Sequence, residues 1–124
     1  MKIIEQEEVR KLLQPKDCIQ LMAEALKGLE SGEYAQPARL ITVMPNTAKF
    51  GFMPAYVGDY FGAKVISAFA PNMGTKYPSH IGYVMLFESA HSTVAGMIEA
   101  GSITEIRTGA VSAAATDLLA RKDS

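Results

Sequence analysis

Tryptophan is absent from this 124-residue chain, cysteine occurs once, and the charges nearly cancel. Each shortage excludes a class of protein. Cys18 has no internal disulfide partner, and a single thiol suits a reducing compartment, so a cytoplasmic protein is expected. Lys and Arg number 12 against 13 Asp and Glu, a net charge of −1, which leaves no basic footprint for nucleic acid or an anionic membrane surface. No apolar run approaches the roughly 20 residues that a membrane span needs. Glu5, Glu7 and Glu8 interrupt any leader-like stretch near Met1, so no signal peptide is expected. The histidines His80 and His91 and the lone Cys18 show no metal-ligand spacing, and no structural zinc is expected. No serine sits in a nucleophile elbow. The Gly-x-Gly-x-x-Gly turn that cradles a dinucleotide pyrophosphate occurs nowhere.

What remains is one domain, residues 1–124, long enough to bury roughly 60 to 70% of its unfolded surface. The pattern predicts an α+β fold: N-terminal helices, a mainly antiparallel five- to six-stranded sheet, and a C-terminal capped helix. Residues 1–34 form a helical lead-in. Lys2 to Glu5 is a short apolar piece, Gln6 to Leu13 a helix stopped by Pro15, and Asp17 caps a second helix. That helix places Ile19, Met22, Leu26 and Leu29 on its inner face and ends at Gly32. Residues 35–100 change to Val-, Ile-, Phe-, Tyr- and Met-rich segments, with strands expected near 38–44, 49–56, 62–70, 80–88 and 93–98. Pro45-Asn46-Thr47 and Ser89-Ala90-His91-Ser92 read as hairpin turns, and Phe69 to Tyr77 as a loop.

Residues 101–124 carry the densest signal. Ser102 with Glu105 three positions later reads as a capping box at a helix that binds an anion at its start. Arg107 in an early turn opposes the helix dipole, which a carboxylate or phosphate ligand would relieve. Arg39 starts a strand on the face of Ile41 and Val43, so it either snorkels to solvent or enters a polar pocket. Lys64 interrupts a buried run and reads either as a gatekeeper at a sheet edge or as a site residue. His80 is an acid, a base or a satisfied polar group, and His91 a solvated turn residue. Glu99 either orients Arg107 or stabilises the turn before the helix. The five methionines between Met44 and Met97 read as core filler.

A set of short motifs, in order, gives these residues a shared context. Gln36-Pro37-Ala38-Arg39, Met53-Pro54-Ala55-Tyr56, Lys64-Val65, Tyr77-Pro78-Ser79-His80-Ile81-Gly82, Leu86-Phe87-Glu88 and Thr104-Glu105-Ile106-Arg107-Thr108-Gly109-Ala110-Val111-Ser112-Ala113 resemble the N-terminal half of the ornithine cyclodeaminase and mu-crystallin family. The resemblance runs from about Gln36 to Arg121.

The resemblance implies an NAD(P)-dependent enzyme of two domains, whose N-terminal part binds a small amino or imino acid and builds a homodimer interface. It implies that Arg39, Lys64 and Arg107 hold the substrate carboxylate, that Ser79 supplies a nearby hydroxyl, and that Lys64 is the catalytic candidate. The absent glycine fingerprint leads us to expect that the NAD or NADP domain is missing, so that residues 1–124 bind no cofactor tightly and are inactive alone. Gly51 stands where the cyclodeaminases carry a glutamate, which favours ketimine reduction or amino-acid oxidation over conversion of ornithine to proline. Gly109 replaces the usual alanine and Glu99 the usual aspartate. The alternatives are a cyclodeaminase and a non-catalytic dimeric module that binds small carboxylates.

Overall fold

A computed structural model describes residues 1–123. Three helices and a six-stranded mixed sheet follow in the order β1 (Lys2–Ile4), α1 (Gln6–Leu12), α2 (Pro15–Ser31), β2 (Leu40–Val43), β3 (Lys49–Tyr56), β4 (Tyr60–Ala68), β5 (His80–Glu88), β6 (Val94–Glu99) and α3 (Ala100–Leu119). The strands lie in the spatial order β1-β6-β5-β4-β3-β2, so β2 to β6 form an antiparallel meander and β1 adds to β6 in parallel.

Several local expectations change. Pro15 does more than end α1: it occupies the first turn of α2, where its missing N–H costs nothing, and Gln14 rather than Asp17 is the N-cap. Gly32 closes α2 in the left-handed region at φ +80°, as its position predicts. Leu26 and Leu29 are exposed, while Cys18 and Gly28 are buried. The reason is a close approach: a Cβ on Gly28 would fall 2.2 Å from the Tyr34 ring, so the backbone itself is the packing surface there. Around the sheet, β2 begins at Leu40 instead of residue 38, and β4 spans Tyr60–Ala68 instead of 62–70. A 3₁₀ turn at Ala70–Asn72 lies within the expected loop.

The two sheet faces differ. Side chains of register partners share a face. One transverse row therefore runs Met53, Lys64, Val84, Ile98, Ile4. All three helices lie over this face, since Ile4 and Ile98 line a groove with Val9 of α1, Leu21 of α2 and Ile103 of α3. The small residues of α3 serve its packing on α2, with Ala110 and Ala114 buried. The opposite face carries Phe52, Val65, Phe61, Met85 and Phe87 around an open apolar hollow of about 590 Å³. Leu40 is 64% exposed there and Phe52 43%.

Candidate functional site

Lys64 stands at the centre of the sheet, because β4 is hydrogen-bonded to β3 on one side and β5 on the other. The edge-gatekeeper reading is therefore wrong: an edge needs a strand with one free side. Its alternation places the side chain on the helical face, where Nζ donates to Thr104 Oγ1 of α3 at 3.3 Å. Burial, then the positive charges of Arg107 and Arg39, hold the Lys64 pKa below that of an ordinary lysine.

Arg39 and Arg107 bear on Lys64 through their charge, from different elements. Arg39 immediately precedes β2, whose Leu40 pairs with Phe52, so its backbone continues opposite Met53, the register partner of Lys64. Two strand spacings separate Arg39 from Lys64, about 10 Å between backbones. Arg107 lies one helical turn beyond Thr104, on the side of α3 that also meets Ile4 and Leu21. Both arginines are exposed. Among the described residues, none of these three cations is paired with a carboxylate.

The start of α3 differs from the capping box read in the sequence. Glu99 is the N-cap, and its carboxylate accepts from the backbone N–H groups of Gly101 at 2.6 Å and Ser102 at 3.0 Å. Ser102 is 2% exposed inside the first turn. Glu105 turns outward instead and accepts from the Arg10 guanidinium at 2.8 Å. Burial alone would raise the Glu99 pKa, but hydrogen bonds from Ser102 and Gly101 and the Arg10 charge lower it below the usual carboxylate value. An internal carboxylate already neutralises this helix terminus, so an external anion has no claim on it.

A cavity of about 200 Å³ opens beside Lys64 beneath the first turn of α3, lined by Thr104, Gly101, Ile66, Gly82 and His80 among others. Ser79 is half-buried, with Oγ 3.2 Å from His80 Nδ1, and His80 is among the residues that line the cavity. Gly82 is required where it stands, because a Cβ would meet the Val65 carbonyl oxygen at 2.8 Å. Sequence reasoning missed Thr104, whose signal was its place one turn ahead of Arg107. It weighed His80 without an expectation of this cavity. The described residues include no cluster of His, Cys, Asp and Glu able to hold a metal ion, and no helix long and apolar enough to cross a membrane.

Residues 1–124 match the ornithine cyclodeaminase/mu-crystallin family. A ketimine reductase mu-crystallin of Mus musculus is 34% identical over 101 residues, covering 79% of this chain and 32% of the mouse protein. The structure of Thermococcus litoralis Δ1-pyrroline-2-carboxylate reductase in complex with NADH and L-proline superimposes with a TM-score of 0.90 and 30% identity, over 100% of this chain and 39% of that one. An archaeal alanine dehydrogenase dimer with bound NAD gives a TM-score of 0.91 at 25% identity, over 98% of this chain and 38% of its own. The chain thus spans about a third of the length of the mouse protein.

Proposed function

The chain belongs to the ornithine cyclodeaminase/mu-crystallin family, and from that premise we propose that it is the substrate-binding and dimerisation part of an NAD(P)-dependent enzyme. The substrate is a small amino or imino acid, and the reaction is ketimine reduction or amino-acid oxidation. One observation carries this reading: Arg39 and Lys64 lie on one side of the sheet, Arg107 lies on the helix that Lys64 touches through Thr104, and none of the three has a carboxylate partner among the described residues. Unpaired cations gathered on one face repel one another, and a ligand carboxylate removes that cost. Arg39 and Arg107 supply charge-assisted hydrogen bonds, and Lys64 a point charge. With its pKa lowered, the Lys64 ammonium is also the better proton donor to an imine nitrogen. Ser79 contributes by bearing on His80, which lines the same cavity.

We infer that the start of α3 is not a pyrophosphate cradle. Glu99 occupies the N–H groups at the start of α3, where a pyrophosphate would need free donors and no carboxylate. We place the NAD or NADP site in the further length that the relatives possess, so cofactor chemistry involves residues outside those described. Gly51 favours reductase or dehydrogenase over cyclodeaminase: it is buried, and a Cβ there would meet Ile66 Cγ1 at 2.8 Å, so no room is kept for a glutamate side chain. Dimerisation is assigned to the exposed apolar face of the sheet, covered by a second copy.

The test is a titration of this chain, followed by NMR, with L-proline, L-alanine and separately NADH. Shifts at Lys64, Arg107 and Arg39 with the amino acids, and none with NADH, are expected. Tight NADH binding by residues 1–124 overturns the placement of the cofactor site. Absence of any response to the amino acids overturns the carboxylate clamp.

A further inference from the structure

We propose that Thr104 is a positioning residue that fixes the Lys64 ammonium on the helical face of the sheet. The proposal deepens the carboxylate-clamp reading and rests on it for its functional meaning, but its geometry stands separately. Lys64 Nζ donates to Thr104 Oγ1 at 3.3 Å, a contact between residues 40 positions apart on different elements, and this is the hydrogen bond the described structure gives that ammonium.

The need for such a tether follows from the surroundings. A lysine head rides on a flexible four-carbon stem, so nothing in the side chain itself sets its direction. Arg107 and Arg39 both push it away, since like charges act across this face. The open apolar surface beside it, formed by Met53, Tyr60, Val84 and Leu86, offers no acceptor side chain except the Tyr60 hydroxyl. Ser67 and His80 line the cavity beside Lys64, but the ammonium makes its hydrogen bond to Thr104 alone among the described residues. The Thr104 oxygen holds one of its three N–H bonds and thereby aims the other two toward the space shared with His80 and Gly101.

Thr104 is well placed to hold rather than follow. It lies in the early part of α3, whose start is pinned by the Glu99 cap. The neighbouring Glu105 ties the same turn to Arg10 of α1 from the outer side. The threonine oxygen is therefore referred to a fixed helix end, and Lys64 to the middle of the sheet. The pair sets the spacing between them where the clamp has to close.

The experiment compares the wild-type chain with Thr104→Val, which keeps the branched shape without the hydroxyl, and Thr104→Ser, which restores the hydroxyl. Lys64 is followed through its own Cε and Nζ NMR signals during a pH titration, alongside L-proline binding. The groups that face it are Arg39, Arg107, His80 and the Tyr60 hydroxyl, and all four are retained in each variant. Because the hydroxyl stabilises the charged form, Thr104→Val is expected to move the Lys64 titration to lower pH by about half a unit or more. L-proline affinity should fall about threefold to tenfold, with the melting temperature lowered by only a few degrees. Thr104→Ser should return both toward wild type. An unchanged Lys64 titration in Thr104→Val, or a Ser variant that behaves like Val, overturns the proposal. A shifted titration with no L-proline binding by any form upholds the positioning and overturns the clamp.

Discussion

Phe61 and Phe87 stack with ring centroids 5.3 Å apart and planes 10° from parallel, on the side of the sheet away from the helices. They are register partners on β4 and β5, and with Phe52, Val65 and Met85 they surround the open hollow of that face. Two stacked rings beside exposed Leu40 and Phe52 form a surface that a single copy leaves in water.

On the proposal that a second copy covers this face, Phe52→Asp should abolish self-association while leaving the chain folded. Sedimentation measures it directly. A wild type that sediments as a monomer at every concentration would remove the assignment of this face to a second copy.

Lys64→Met should weaken binding of small amino acids about tenfold to a hundredfold, the loss of a charge-assisted hydrogen bond. Its effect on the fold has the opposite sign. The folded-state pKa lies below the unfolded one, so the charged lysine costs stability at neutral pH, and that cost is relieved only as pH rises through the lowered pKa. The melting temperature of Lys64→Met at pH 7 should equal or exceed that of wild type. A clear fall would mean that Lys64 is a structural residue.

Glu99→Ala should cost about 1 kcal/mol, the usual worth of an N-cap, in a denaturant titration at neutral pH. The pH dependence follows from its lowered pKa. The cap's contribution is fully present above the unfolded carboxylate value and is lost as pH falls through the lower folded value. Wild type and Glu99→Ala should therefore converge in stability in strong acid.

Gly109→Ala should stabilise the chain by about 0.5–1 kcal/mol, because Gly109 sits inside α3 and a Cβ there meets nothing within 4 Å. Gly62→Ala is the contrasting case. A Cβ at that position would lie 2.1 Å from the Met85 carbonyl oxygen, so a loss of about 1–3 kcal/mol or more is expected.

The meander was legible because its strands alternate and its turns carry the right residues. Lys49–Tyr56 and His80–Glu88 fall where the pattern puts them. The parallel seat of β1 was not legible, since a three-residue apolar segment has no pattern that names its neighbour. At the candidate site, Arg39, Lys64 and Arg107 each had an ordinary explanation in isolation; the pairing of β2, β3 and β4 puts Arg39 and Lys64 on one side of the sheet, and Arg107 lies on the helix over that side. The capping box at Ser102 failed for a physical reason. Glu99 has a longer reach than serine and satisfies two N–H groups by itself, which frees Glu105 for Arg10. Thr104 left no trace beyond its spacing, because a threonine's partner is fixed by tertiary contact.

The parallel pairing of Lys2–Ile4 with Gly96–Ile98 also has a bearing on the order of assembly. Hairpins β2 to β6 join neighbours in sequence and can form early, whereas β1 must wait for a strand far later in the sequence. During synthesis Lys2–Ile4 is thus made long before its partner strand and settles only after it. Until then β6 presents an unpaired edge, and Met97 and Ile98 are the residues most exposed to capture by another nascent chain.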